Sequence, residues 1–317
     1  MPTRREANDG RDARRPLKKN CRRGAGTPRY RHGGAPHVRV LQYAMLLRRM
    51  SEPQRKGKAK PASEVRGRIA ADIVFFDNDG TLFDSRIGVI SAVQDAFREF
   101  CARHGFRTLP NSESRETRDT PHSQLATPNS QPLFPIPTAE RILELTGQPA
   151  GYFYSAILPE GYQHLADELR ELSLEHEKRA IAAQGKLFEG AEEVLAELRR
   201  RGKKLVLMTH AGGDYASAIV EKFGYRERFD LIMYVGKDGL RDKKEMIARA
   251  MKELGVSPAD SHAKGMVVVG DKLADMEAAK HHGAVAILAG YGFGGEKERK
   301  LADFVVSEPR EILEIVE

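Results

Sequence analysis

Ile73-Val74-Phe75-Phe76-Asp77-Asn78-Asp79-Gly80-Thr81-Leu82 joins an unbroken apolar run to two carboxylates spaced two residues apart and a glycine. An apolar run without polar alternation reads as a strand buried on both faces, the kind found in parallel sheets. Ligands of such sheets bind beyond the carboxyl ends of the strands, which is where Asp77 and Asp79 fall. Two residues apart in extended chain, the two side chains point the same way. A calcium loop does not fit, because with Gly80 as its sixth residue the first ligand falls on Phe75 and the twelfth on Arg86. The remaining alternative is an aspartate-capped turn, with Asp79 bonding backbone N–H groups and Gly80 supplying a positive φ.

A second acidic pair, in Gly270-Asp271-Lys272-Leu273-Ala274-Asp275, follows the apolar run Met266 to Val269. If both runs are strands of one parallel sheet, the two pairs can share a cleft. Carboxylates gathered there repel one another and hold their protons more tightly unless a cation is present. Hard oxygen donors with room for water favour magnesium. Taken alone, Asp271 and Asp275 could instead cap a helix. Thr209 ends the predicted strand Lys204 to Met208, so its hydroxyl and the N–H groups after it can hold a phosphate oxygen. Lys243 and Lys244 open a predicted helix, where cations are electrostatically unfavourable, and neutralising phosphate and carboxylates gives one of them a reason to be there.

The charge is unevenly spread. The net charge is +7 overall, yet residues 1 to 70 carry 20 Lys/Arg against 5 Asp/Glu, so the rest of the chain is acidic. Residues 1–68, rich in Arg, Lys, Gly and Pro, are expected to be a disordered basic extension. Such an arm can gather nucleic-acid phosphates, but no aromatic residues alternate with its charges as a stacking surface requires. Cys21 and Cys101 lie far apart and in no metal-ligand spacing, which points to reduced thiols and a cytoplasmic protein. Val40 to Leu47, broken by Gln42, is far short of the ~20 residues of a membrane span, so no membrane association is expected.

Between Asp77 and Leu205 the chain reads mostly as helix, an inserted lid. Helices are expected over Arg86 to His104, Ala139 to Leu145 and Tyr162 to Ala183, with a long mobile loop from Thr108 to Pro137. From Glu189 onward helices alternate with short apolar strands, as in a parallel sheet. The strands are Lys204 to Met208, Asp230 to Val235, Met266 to Val269, Ala284 to Leu288 and Phe304 to Val306. The fold class is therefore α/β.

These residues resemble the haloacid dehalogenase superfamily of hydrolases, whose four motifs occur in order: Asp77-Asn78-Asp79-Gly80-Thr81, Thr209, Lys243, and Gly270-Asp271 with Asp275. The resemblance spans Ile73 to the C-terminus. It implies a Rossmann-like three-layer core with a mainly parallel sheet over 69–85 and 186–317, and an inserted α-helical cap over 86–185. It also implies that Asp77 is a nucleophile forming an aspartyl-phosphate, and that Asp79 protonates the leaving alcohol and then activates water. By the same likeness Mg2+ would be held by the Asp77 carboxylate, the Asp79 backbone carbonyl and Asp271, with Asp275 assisting. Gly80, Thr81, Thr209 and Lys243 would bind the phosphoryl group. Counting back from Leu254-Gly255 favours Lys243 over Lys244.

Members with other chemistries carry tyrosine or alanine where this chain has Asp79, so phosphatases and phosphomutases are favoured. The helical insertion resembles the cap of the phosphoglycolate phosphatase group. The expectation is a magnesium-dependent phosphatase of a small phosphorylated metabolite. The alternatives are a sugar phosphomutase and a nucleic-acid end phosphatase using the basic arm. His210 is read as a bystander of the site, and His281 and His282 as a helix end. Gly290 to Gly295 is read as a loop near the cleft, not a dinucleotide loop, since it comes near the end of the fold and no helix clearly follows at the required place. Tyr152, Tyr154 and Tyr162 are assigned to the cap, as inner-face or core residues.

Overall fold

The structure, a computed structural model, describes residues 60–61, 68–109, 132–256 and 265–317. In chain order the strands are β1 (Lys60–Pro61), β2 (Ile73–Phe76), β3 (Arg107–Leu109), β4 (Leu133–Pro135), β5 (Lys204–Thr209), β6 (Leu231–Tyr234), β7 (Met266–Gly270), β8 (Val285–Ala289) and β9 (Phe304–Val306). The main helices are α1 (Val89–Arg103), α2 (Ala139–Leu145), α3 (Ala150–Ile157), α4 (Ala166–Gln184), α5 (Ala191–Arg200), α6 (Gly213–Lys222) and α7 (Tyr225–Arg228). They continue with α8 (Lys243–Glu253), α9 (Leu273–His281), α10 (Glu296–Leu301) and α11 (Ile312–Ile315). None of the helices among the described residues is long and apolar enough to cross a membrane.

Seven strands form one all-parallel sheet in the order β1-β9-β8-β7-β2-β5-β6. All four residues of β2 are buried, as a strand covered on both faces requires. On one face Phe75, Val206, Met208 and Val268 pack against Met246, Ile247 and Ala250 of α8 and Met276 of α9. On the other, Phe76 meets Phe229 edge-on at 6.4 Å, and α5 packs on β5. Helix, sheet and helix thus form the three layers of a Rossmann-like core.

Topology decides where a ligand can sit. After β2 the chain fills β5 and β6 on one side, then crosses to β7, β8 and β9 on the other. The reversal opens a crevice at the carboxyl end of β2, between β5 and β7. Register makes it compact: Phe76 pairs with Leu207 on one side and Val269 on the other. The Asp77 N–H extends the ladder by donating to the Val269 carbonyl at 2.9 Å.

The insertion between β2 and β5 is mainly helical, with α1 packed along α4 and α4 against α3 and α6. Three expectations need correction. The ends of the Thr108 to Pro137 segment are strands: β3 and β4 pair in parallel, Thr108 opposite Phe134. Phe134 is buried between Phe106 and Tyr162, an aromatic cluster that anchors the pair. Residues 110–131, the rest of the expected loop, lie outside the described residues. Helix α3 was not anticipated, because its sequence Ala-Gly-Tyr-Phe-Tyr-Ser-Ala-Ile has no polar face to mark a helical period. Within the expected basic extension, Lys60 and Pro61 pair with Phe304 and Val305, since an open sheet edge accepts backbone regardless of side-chain pattern. Residues 1–59 and 62–67 lie outside the described residues.

Phe75→Ala should cost about 3–5 kcal/mol, because the fully buried ring lies in the central strand where neither layer can collapse onto the void. Chemical denaturation of the two proteins reads that difference.

Candidate active site

Three strand ends supply the site. Asp77 follows β2, Thr209 closes β5, and Asp271 follows β7. Asp77, Asp271 and Asp275 each bring a carboxylate oxygen within 4.8 Å of the others, and all three are buried. At such a separation two carboxylates repel by roughly 3 kcal/mol at an effective dielectric near 20. Lys243, buried at the start of α8, answers part of that charge: its Nζ lies 2.7 Å from Asp77 Oδ1 and 2.6 Å from Asp275 Oδ1. Burial alone would depress the ammonium, but Asp275 and Asp77 beside it outweigh burial and hold it above the usual lysine range. Lys244 is turned away, 3.8 Å from Glu277 on the surface. The ambiguity between the two lysines is thereby resolved in favour of Lys243 as the one in the cleft.

One ammonium among three carboxylates leaves an excess of negative charge. Asp271 is pushed well above the usual aspartate range, by burial first and by Asp77 next. Asp275 rises to about 6, again chiefly through burial, against the opposing pull of Lys243. Asp275 spends both oxygens, on Lys243 and on the Lys272 backbone N–H at 3.1 Å. Asp77 Oδ2 and Asp271 Oδ1, by contrast, are buried without a hydrogen-bond partner among the described residues. Two orphaned hard oxygens in an over-anionic cluster fit a divalent cation held by oxygen donors. Asp77 and Asp271 would hold it, with Asp275 locking the lysine beside it.

Asp79 plays a separate part. Its side chain is outside the three-carboxylate cluster: Oδ1 accepts from the Tyr215 hydroxyl at 2.8 Å and Oδ2 from the Asn78 amide at 3.0 Å. Burial raises Asp79 to about 6, offset by the Asn78 bond. Gly80 turns the chain at φ 82°, and a side chain there would overlap Asp271. Thr81 is buried with its hydroxyl unpartnered. The Thr209 hydroxyl accepts from the Ala211 N–H at 3.0 Å.

The glycine loop 290–295 is packed onto this site rather than free beside it. Phe293 N–H donates to Asp271 Oδ2 at 2.7 Å, and the Tyr291 hydroxyl donates to the Thr81 carbonyl at 2.8 Å. A Cβ at Gly292 would overlap the Gly80 carbonyl, so glycine permits the approach. The helix that follows, α10, begins at Glu296, after the last glycine of the loop.

A cavity of about 150 Å3 joins the strand ends to the insertion, lined by Asp77, Asp79, Thr209, His210 and Tyr215 below and Phe153, Tyr154, Arg170 and Glu177 above. His210 Nδ1 donates to the Gly147 carbonyl at 2.8 Å, and burial and the Lys243 charge lower its affinity for a proton. His281 and His282 meet each other edge-on at the end of α9, as expected of a helix terminus. Tyr152 is exposed, Tyr162 belongs to the aromatic cluster, and only Tyr154 reaches the cavity.

Sequence reasoning missed Tyr215 and Glu177. Tyr215 offered no signal, being one tyrosine in the first turn of a helix. Glu177 did: the buried positions of α4 are Leu169, Ser173, Glu177 and Ile181, a stripe of four-residue steps in which a carboxylate takes a core place. Burial raises Glu177 to about 7, against hydrogen bonds from Tyr154 and Ser173. As pH rises, the unfolded chain releases this proton near 4.5 while the folded chain holds it to about 7. Between those values folding carries a growing cost that is complete above the upper one. Glu177→Gln should therefore raise the melting temperature more at pH 8 than at pH 5, a difference that thermal unfolding at the two pH values measures.

Residues 71–283 match the haloacid dehalogenase-like hydrolase family. The chain is similar to tyrosine-protein kinase PtkA of Mycobacterium tuberculosis (strain ATCC 25618 / H37Rv), 25% identical over 224 residues, which are 70% of this chain and 63% of the kinase. It thus spans less than two thirds of that relative. It is also similar to the 5′-nucleotidase of Pseudomonas aeruginosa, 29% identical over 226 residues, 71% of this chain and 85% of that protein. The crystal structure of a predicted phosphoglycolate phosphatase from Haemophilus somnus 129pt superposes with a TM-score of 0.59 at 15% identity, covering 78% of this chain and 98% of the other, a likeness of fold. The matched region holds β2, β5 and β7 with every acidic residue at their tips, and the chain belongs to the haloacid dehalogenase-like hydrolase family.

Proposed function

We propose that the chain is a magnesium-dependent phosphatase that hydrolyses a small phosphomonoester through an aspartyl-phosphate on Asp77. The observation that carries this is the buried meeting of Asp77, Lys243, Asp271 and Asp275, with Asp77 and Asp79 both lining a small cavity. The 5′-nucleotidase and phosphatase names among the relatives and neighbours support hydrolysis.

In the first step an Asp77 carboxylate oxygen attacks phosphorus and the bond to the leaving oxygen breaks. Asp79 gives its proton to that oxygen, a task suited to a carboxylic acid whose proton is held to about 6. In the second step Asp79, now a carboxylate, takes a proton from water as the water oxygen attacks the aspartyl-phosphate, and inorganic phosphate leaves with Asp77 restored. Lys243 and Thr209 would stabilise the equatorial oxygens. When bound, Mg2+ supplies positive charge that screens the phosphoryl group from the carboxylates. Tyr215 keeps Asp79 turned toward the cavity rather than toward the cation-holding pair. We assign the helices of residues 86–185 to a cap that excludes water over a core of 69–85 and 186–317.

Aryl phosphate should be hydrolysed with Mg2+ and without any nucleotide, and the activity should fall by at least about a thousandfold in Asp77→Asn. Undiminished turnover in that variant sinks the assignment. A requirement for a nucleotide would instead favour kinase chemistry, as in the name of the mycobacterial relative. Return of the phosphoryl group to a hexose phosphate would select a mutase. Metal binding has its own readout: Mg2+ should raise the melting temperature of the wild type and leave that of Asp271→Asn unmoved.

A further inference from the structure

Helix α4 turns Arg170, Leu174 and Glu177 toward the cavity, positions four and three residues apart on one side of the helix. Glu177 differs from an ordinary helix carboxylate. It is 5% exposed, and among the described residues no cation pairs with it. The two donors that reach it, the hydroxyls of Tyr154 at 2.8 Å and Ser173 at 3.0 Å, both land on Oε1. Oε2 is left with its hydrogen-bonding capacity unspent, in a wall of the same cavity that Asp79 lines. An oxygen that opens on the cavity from an otherwise buried carboxyl is placed to meet a partner from outside the chain.

We propose that Glu177 selects the substrate by pairing Oε2 with a hydroxyl of the leaving group, so that hydroxyl-bearing phosphomonoesters are preferred over carboxylate-bearing ones. This rests on the phosphatase assignment above. With phosphorus at Asp77 and the leaving oxygen at Asp79, the remainder of the leaving group must occupy the rest of the cavity, where Glu177 is. A hydroxyl both donates and accepts, so it satisfies Glu177 in either protonation state. That versatility matters for a group whose proton is held to about 7. A carboxylate on the leaving group meets repulsion from ionised Glu177, while the Arg170 guanidinium on the same wall is shared with Asp167 at 3.6 Å. An apolar leaving group leaves Oε2 unpaired, and a site that buries a polar group rejects partners that fail to meet it. Tyr154 and Ser173 act as positioning residues, since by occupying Oε1 they leave Oε2 as the free oxygen.

The test compares kcat/KM of the full chain with Mg2+ for two small probes, glycerol 3-phosphate and 2-phosphoglycolate, alongside aryl phosphate as a control for hydrolysis itself. The wild type should prefer the glycerol ester by at least about tenfold, the size of one hydrogen bond to a charged group. Glu177→Gln, nearly the same shape without the charge, should reduce that ratio several-fold. A loss of folded protein lowers both rates together and leaves the ratio alone, so the ratio isolates recognition. Wild-type preference for phosphoglycolate, or a ratio unmoved by Glu177→Gln, overturns the proposal. Turnover of aryl phosphate with equal rates on the two probes also overturns it while leaving the phosphatase assignment intact. Absence of turnover on all three esters removes both.

Discussion

Three buried carboxylates and one ammonium share the crevice at the end of β2, and the sums of their charges do not cancel. Lys243 bridges Asp77 and Asp275, at 2.7 and 2.6 Å, yet among the described residues Asp271 has no cation of its own at hydrogen-bonding distance. Elsewhere in the core the same depth is filled by Val, Ile, Phe and Met, whose burial is favourable without further conditions. Here burial works against the charged forms, as the raised proton affinities of Asp271 and Asp275 show. A fold tolerates such a cluster only if the surrounding layers are stable enough to hold it together. The all-parallel sheet, buried on both faces, provides that stability, and the frustration at its tip is what makes the site receptive to a cation and a phosphoryl group.

The constraint propagates outward. Because Asp271 must sit close to Asp77, the turn after β2 has to pass beneath it, and Gly80 gives the room. Because Asp271 Oδ2 still needs a donor, the glycine loop folds in and offers the Phe293 N–H, with Gly292 allowing the approach. The Tyr291 hydroxyl then ties that loop back to Thr81. Lys272, next to Asp271, reaches across to the Leu143 carbonyl of α2 at 3.3 Å and so couples the acidic loop to the insertion. Each of these contacts is local, but together they link the end of β7, the turn after β2, the glycine loop and the helices above. A shift in any one element changes where the carboxylates stand.

The residues at the strand tips were legible in the sequence because a buried parallel strand announces itself by an apolar run, and polar residues just beyond it have few places to go. Asp77, Thr209 and Asp271 followed from that rule, and the expected bounds of α2 and β9 are the observed ones. What the sequence concealed were partners contributed from a distance. Tyr215 finds Asp79 across 136 residues, and nothing near either residue encodes the meeting. The β3–β4 pair was hidden because two three-residue strands carry too little pattern to stand out from a segment rich in Ser, Thr and Pro. Lys243 could be separated from Lys244 only weakly by counting. In space they differ completely, since one helical position faces the crevice and the next faces solvent.

Glu177 shows where that limit falls. Its place in the four-residue stripe of α4 was visible, yet a carboxylate among many charges on a long helix is ordinarily a solvated one. Only packing distinguishes the two cases: Tyr154 and Ser173 close over one oxygen and the cavity leaves the other open. The same comparison separates the two halves of the site by their physical task. The core half is built from charges that attack, protonate or neutralise, and its composition is fixed by phosphoryl chemistry whatever the leaving group. The insertion half contributes aromatic wall, one arginine and one buried acid, none of which the chemistry requires. Selection of a leaving group therefore has to come from those side chains, and among them Glu177 is the buried acid that keeps one oxygen open to the cavity.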